Sequence, residues 1–304
     1  MKVVFVNYFH NGDLHVSRQF VRRIMETFPQ HDYSYAHNCH PAVLCDMAGL
    51  KTIPRANIPR LDAGFGSILQ NDTLYLNTWY GSHNGRFNSS TGIAFDALYA
   101  LFDYNLKTYF NSSCNALEED PSKLFPRINF SGIHKEGVDS FIARFRSQFK
   151  KIIMISNGES LSGQATNFGF APVLQALAIT YPEYCFVFTN KDSRIRGGVK
   201  NLKSSTNFIG NLPSDLNENG YLSTFCDLIV GRTSGAYTFA MIQDNMFESN
   251  RKMVSFSNIG TDDNTYWLGP RFRNIIKYKN KVLNYNIKTP NACLEIMHRV
   301  IKEL

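Results

Sequence analysis

Several turns in this chain collect the residue types that chemistry needs. The clearest lies in Cys226-Asp-Leu-Ile-Val-Gly-Arg-Thr-Ser-Gly235, where an apolar run suited to a buried parallel strand breaks into small residues, with a helix expected over 236–242. Gly231 and Gly235 let the backbone turn tightly, the first N–H groups of the next helix are free to donate, and Arg232 adds a permanent positive charge. Arg232, Thr233, Ser234 and Gly235 could therefore cradle a diphosphate. The plainer alternative is an arginine that covers a strand end through a surface ion pair. Asn157, Gly158 and Glu159 close another apolar run and would lie beside that cradle, with Glu159 either holding ribose hydroxyls or capping the segment after it. Thr189 and Asn190 close a third run and would line the same pocket, although a post-strand turn explains them equally well. At the other end of the chain, His10, Asn11, Gly12 and Asp13 follow the first strand; a carboxylate there is either a general base or a helix cap. Trp79 and Tyr80 follow the strand at 73–77 and offer an aromatic platform with polar neighbours, of the kind carbohydrates use, or else ordinary packing.

Alternating strands and helices must position these turns. A valine- and phenylalanine-rich strand over 2–8 leads into a helix over 14–28, whose Leu14, Phe20, Val21, Ile24, Met25 and Phe28 share one broad face while Arg18, Arg22, Arg23 and Glu26 fall elsewhere; Pro29 ends it. A strand over 33–36 completes a β-α-β unit. Weaker signals give helices over 41–48 and 93–110. After Phe130 the pattern resumes: helix 137–150, strand 151–156, helix 170–181, strand 184–189, a short strand at 207–209, helix 216–225, the Cys226 segment, strand 252–256 and an amphipathic helix within 288–304. Two such series, each opening on a strand that ends in an Asn-Gly turn, imply an α/β protein with two doubly wound Rossmann-like domains facing across a cleft. The expected division is 1–130 and 131–304, with the last helix packing back on the first domain. Ligands of such sheets sit beyond the carboxyl ends of the strands, where all these turns fall.

The 304 residues are 43% hydrophobic with a formal net charge of +7, enough for two cores and suited to an anionic partner. That partner is expected to be a phosphorylated small molecule, with peripheral contact to an anionic membrane surface as an addition. Basic residues are scattered and not interleaved with stacking aromatics, which disfavours nucleic acid. No run is long enough for a membrane span and the N-terminus does not read as a signal peptide, so the expected compartment is cytoplasmic, with the six irregularly spaced cysteines reduced. Asn71-Asp-Thr, Asn88-Ser-Ser, Asn111-Ser-Ser and Asn129-Phe-Ser then read as polar turns. His37, Cys39, His40 and Cys45 crowd too closely for a zinc site, and no Asp-x-Asp pair occurs, Asp262-Asp263 being a polar turn. No cofactor or metal is expected.

On two segments the chain resembles the two-domain glycosyltransferases of the GT-B fold, most nearly the heptosyltransferase-like enzymes. Asn11-Gly-Asp-Leu14 is similar to that family's Gly-Asp turn, and the resemblance implies that Asp13 is the catalytic base, with His10, Asn11, Gly12, Trp79 and Tyr80 on the acceptor side. The Cys226–Ala240 segment resembles the late strand, Ser-Gly turn and helix that face the donor, so Arg232 to Gly235, with Asn157, Gly158, Glu159, Thr189 and Asn190, would hold a nucleotide sugar. The family usually has an acidic residue before Ser-Gly and Pro-Met-His after it; here Arg232 and Thr233 precede the pair and Ala236-Tyr-Thr238 follow. The implied activity is metal-independent, inverting transfer of a sugar from a nucleotide-sugar donor to a carbohydrate acceptor in surface glycan synthesis. A nucleotide-sugar epimerase of the same fold, and a binding module without catalysis, are the alternatives.

Overall fold

β-Branched and aromatic residues build two separate sheets in a computed structural model that describes residues 1–59, 61, 66–79, 95–161, 163–195, 198–258, 268–269, 272 and 282–304. One unit comprises Met1–Asn129 with Asn264–Tyr278, the other Phe130–Asp263 with Lys279–Leu304. The first boundary falls between Asn129 and Phe130. The return of Asn264–Tyr278 to the first unit is not anticipated by a division into two unbroken segments.

In the first unit, β1 (Lys2–Val6), α1 (Asn11–Thr27), β2 (Asp32–His37), β3 (Lys51–Pro54), β4 (Ile68–Gln70), β5 (Thr73–Asn77), α2 (Phe95–Tyr109) and α3 (Cys114–Leu117) follow in order. The sheet runs β3-β2-β1-β5-β4, parallel except for the β4–β5 hairpin. Asn71 and Asp72 turn that hairpin with φ of 48° and 57°, the left-handed geometry that two-residue hairpin loops require. The chain winds outward from β1 to β3 and then returns to β5 on the other side of β1, so the topological switch point lies between β1 and β5. The helix expected over 41–48 is only a 3-10 turn, Pro41–Leu44.

Helix α1 departs from its expected polar face. Arg18 is fully buried and Arg22 nearly so, because both reach Asp46, at 3.4 and 2.7 Å. Arg18 also donates to the Val43 carbonyl at 2.6 Å, and Arg22 to the Arg127 carbonyl at 3.1 Å. Burying two guanidinium groups is tolerable only with this pairing, and removing Asp46 would strand both charges. Burial lowers the Arg18 pKa against the opposing pull of Asp46.

The second unit contains α4 (Gly132–Phe145), β6 (Lys151–Ser156), α5 (Ala171–Thr180), β7 (Tyr184–Phe188), β8 (Leu202–Ser204), α6 (Thr206–Ile209), α7 (Leu216–Ser223), β9 (Leu228–Arg232), α8 (Gly235–Thr238), α9 (Gln243–Met246), β10 (Lys252–Phe256), β11 (Val282–Tyr285) and α10 (Pro290–Lys302). Its sheet is β11-β10-β9-β6-β7-β8, parallel throughout, with the switch point between β6 and β9. The segment 207–209, expected as a strand, lies in short helix α6, and the strand is the earlier β8. Helix α10 starts cleanly, with Pro290 in its first turn and the Thr289 side chain capping the Ala292 N–H. Its Cys293, Met297, Val300 and Ile301 enter the same core as Val173, Leu174 and Leu177 of α5. The last helix therefore packs within the second unit, contrary to the expectation that it returns to the first; its apolar stripe is already covered there.

Candidate functional site

Both groups of predicted residues fall at a switch point. In the first unit, β1 and β5 end side by side, with Val6 paired to Asn77. Asn7 turns the chain out of β1 by accepting the Phe9 N–H at 2.8 Å, and exposed His10 takes an extended conformation as the cap residue of α1. Asn11 and Gly12 form the first residues of that helix, and Asp13 is its third. The Asp13 carboxylate accepts the His10 N–H at 3.1 Å, and the Trp79 side chain lies near enough to influence its titration. Asp13 therefore caps the helix start, and its carboxylate is only half-buried. Burial raises its pKa, against the lowering influence of the His10 backbone and side chain and of Trp79. Cys39, just beyond β2, lies close enough for the Asp13 charge to help raise its thiol pKa, which burial chiefly pushes up to about 11.

Trp79 is brought to Asp13, which its distance in sequence does not disclose. Phe9, 39% exposed, stacks on the indole at 3.7 Å between ring centroids. Phe9 and Asn77 are the residues sequence reasoning missed; Asn77 closes β5 two residues before Trp79, Phe9 stands just before His10 in the turn after β1, and those positions are the signal they carried. Tyr80 lies outside the described residues, as do Asp262 and Asp263. Among the described residues, no group of three His, Cys, Asp or Glu side chains could hold a metal ion.

In the second unit, β6 and β9 end together, with Ser156 paired to Gly231. A Cβ on Gly231 would lie 2.6 Å from the buried Tyr237 ring and 2.9 Å from the Ser156 Cβ, so glycine is required there by close packing. Asn157 ties the β6 turn to the β7 turn, accepting the Asn190 N–H at 2.7 Å and donating to the Asn190 carbonyl at 2.9 Å. Thr189 donates to the Asn190 side chain at 3.1 Å. A Cβ on Gly158 would be 3.1 Å from Asn190 Oδ1 and 3.6 Å from the Ala236 Cβ, so three predicted turns converge at this glycine.

Arg232 occupies a different position from the one its charge suggests. It is 3% exposed and donates through Nε to the Thr166 carbonyl at 3.1 Å, through one terminal nitrogen to the Asn157 and Gly158 carbonyls at 2.7 and 2.8 Å, and through the other to the Phe168 carbonyl. Phe168 and Phe170 lie against the guanidinium at 5.0 and 4.6 Å. Four of its five donors are thus taken by backbone carbonyls. Neither a direct phosphate clamp nor a surface ion pair describes it: Arg232 is a strut that fixes the loops after β6. Burial lowers its pKa, with the charge of exposed Glu159 opposing. Thr233 turns inward to Ser255 at 2.7 Å, and Ser234 caps α8 by accepting the Tyr237 N–H at 3.3 Å. Helix α8 has four residues where seven were expected, too few for a substantial macrodipole. What this turn offers a ligand is the individual N–H groups of Gly235 and Ala236.

Solved structures share the two-sheet architecture. ADP-heptose LPS heptosyltransferase II of E. coli is 16% identical with a TM-score of 0.55, the match covering 100% of this chain and 99% of that one. A glycosyl transferase family 9 structure from Veillonella parvula is 11% identical with a TM-score of 0.53, covering 99% of this chain and 89% of its own. E. coli heptosyltransferase WaaC with ADP-2-deoxy-2-fluoro heptose is 10% identical with a TM-score of 0.53, covering 98% and 99%. The protein has the GT-B fold. Within that fold class its two-sheet arrangement is similar to that of the E. coli heptosyltransferases. No protein-family model and no curated protein matches its sequence.

Proposed function

We propose that this chain is a glycosyltransferase that moves a sugar from a nucleotide-sugar donor to a carbohydrate acceptor. The observation that carries the reading is Asp13: a half-buried carboxyl at the switch point of its sheet, with a raised pKa and an exposed aromatic ring, Phe9, beside its Trp79 partner. As general base it would take the proton from the acceptor hydroxyl as that oxygen attacks the anomeric carbon. The hydroxyl proton passes to the carboxylate and the bonding pair of the anomeric carbon leaves with the nucleotide diphosphate. Attack opposite the leaving group by an acceptor activated at a single base inverts the anomeric centre. The second unit would hold the donor at Asn157, Gly158, Glu159, Thr189 and Asn190, with the Gly235 and Ala236 N–H groups toward the diphosphate and Arg232 holding the loops in shape. The absence of an Asp-x-Asp pair in the sequence supports transfer without a metal. The neighbouring structures include WaaC with an ADP-heptose analogue and an ADP-heptose LPS heptosyltransferase, which makes ADP-heptose the first donor to assay.

Asp13→Asn tests the reading. Transfer, followed by release of nucleoside diphosphate in the presence of chelator, should fall about 10²–10⁴-fold while donor affinity by calorimetry is kept. An unchanged rate removes Asp13 from the mechanism, and donor turnover without acceptor would favour an epimerase. A retained anomeric configuration by NMR would overturn inversion.

A further inference from the structure

Three adjacent strands of the second sheet begin around one cavity. Lys151 opens β6, Lys252 opens β10, and Asp227 immediately precedes β9. The cavity measures about 540 Å³, a size that small-molecule sites commonly have, and Ile142 and Phe225 give it an apolar side. It lies at the amino ends of the strands, whereas Asn157, Thr189 and Gly231 stand at their carboxyl ends. At about 3.3 Å per residue, the six residues of β6 put the two ends roughly 20 Å apart. A ligand held here is therefore not the donor.

Four cations line the cavity: Arg146, Lys151, Arg251 and Lys252. Two acidic side chains oppose them. Asp227 serves both Arg146, at 2.8 Å, and Lys151, at 3.5 Å, and Glu303 stands 3.6 Å from Lys252. A carboxylate on Leu304, which also lines the cavity, would still leave the cations in excess. Arg251 has no carboxylate in contact among the described residues. Its part-buried guanidinium donates to the Thr224 carbonyl and to the Asp244 carbonyl at 3.5 Å, and its Nε is buried without a hydrogen-bond partner. Burial lowers its pKa, as expected where a charge leaves water without an ionic partner in contact. Lys151 and Lys252 each commit one of three ammonium N–H groups to a hydrogen bond. Ion pairs that served only to tie the strand starts together would leave neither an unmatched guanidinium nor idle donors around an open space.

The geometry points to a second ligand site in this unit: the cavity at the amino ends of β6, β9 and β10 binds a phosphate-bearing small molecule, with Lys151 and Lys252 donating to its oxygens and Arg251 balanced by its charge. Phosphate suits the site because one group brings several acceptor oxygens and more than one negative charge to several cations. The concave shape favours a small molecule over a membrane surface. The inference stands apart from the glycosyl-transfer reading and does not need it.

The test is a calorimetric titration of the full chain with inorganic pyrophosphate, comparing the native protein with the paired substitution Lys151→Gln and Lys252→Gln. The native protein should bind, and the pair should weaken this binding about tenfold or more, the loss of at least one charge-assisted hydrogen bond. Arg251→Gln should weaken it similarly while the thermal midpoint is kept; if that variant folds poorly because the Thr224 and Asp244 carbonyls lose their donor, the lysine pair decides the matter. Absence of pyrophosphate binding, or an affinity that the lysine pair leaves unchanged, overturns the inference. Binding that disappears at physiological ionic strength overturns it too, since general attraction between exposed charges is screened there and a formed site is screened much less.

Discussion

The turns after β1 and after β9 begin with similar inventories: a strand end, a glycine, a charged residue and the start of a helix. They use them in opposite ways. After β1 the charged group, Asp13, keeps its carboxylate half-buried, held by the His10 N–H, so a group of raised pKa remains available to a proton. After β9 the polar groups are consumed internally: Arg232 by four carbonyl contacts, Thr233 by Ser255, Ser234 by the Tyr237 N–H. One turn leaves a carboxylate with spare acceptor capacity and the other spends its polar groups on keeping a shape. Charge alone therefore identifies a reactive group poorly, and the count of unspent hydrogen-bonding capacity does better.

This contrast can be broken experimentally. The largest expected effect is the loss of transfer in Asp13→Asn, with little change in stability because asparagine still accepts the His10 N–H. Next, Arg232→Ala should lower unfolding free energy in urea by about 3 kcal/mol, since it orphans several buried carbonyls at once, and Arg232→Lys should not restore it for want of the planar fork. If instead Arg232→Ala leaves stability untouched and only weakens nucleoside diphosphate binding, the two turns are alike after all. Gly231→Ala should cost about 2 kcal/mol through overpacking against Tyr237 and Ser156, read by the same urea titration. A stability unchanged within error would show that the β6–β9 end yields more than its packing implies.

The smallest effect sharpens the contrast from the Asp13 side. A carboxyl whose folded pKa is raised above its unfolded value, taken as 3.8, binds more protons folded than unfolded. Its contribution to stability is then fully present below pH 3.8 and is lost as pH rises through the folded pKa. Asparagine at position 13 does not titrate, so the stability of Asp13→Asn relative to the native protein should increase between acid and neutral pH. Chemical denaturation at a series of pH values reads this, and a difference that stays flat or declines would contradict the raised pKa.

What the sequence disclosed and what it hid divide along physical lines. Apolar runs ending in turns of small and polar residues announced β1, β6 and β9, because fully buried parallel strands leave that signature, while the strand order that sets the switch points was not written in them. Strands β3, β4, β8 and β11 have three or four residues each and escaped notice, too short to show a period. The Asn71-Asp72 pair did carry a hairpin signal for β4 and was read only as a polar turn. Arg18 and Arg22 looked like a solvated helix face because their partner, Asp46, lies outside the helix. The partners of Arg232 were illegible in principle: they are backbone carbonyls, which every residue has. Asp13 was legible as both base and cap, and the structure keeps the cap in place with the carboxylate still presented.

The path of the chain between the two units has a consequence for how the protein is made. It passes from the first to the second after Asn129, returns at Asn264, and leaves again after Tyr278. Phe272, on the returning segment, packs against Phe95 and Tyr99 at 5.5 and 4.9 Å, and Phe95 and Tyr99 in turn pack on Phe20 of α1. A ribosome would thus finish every described strand of the first sheet early, yet leave an aromatic cluster open until most of the second unit had emerged. The first unit to begin is not complete before the second is nearly done, and a fragment cut at residue 129 would carry that opening permanently.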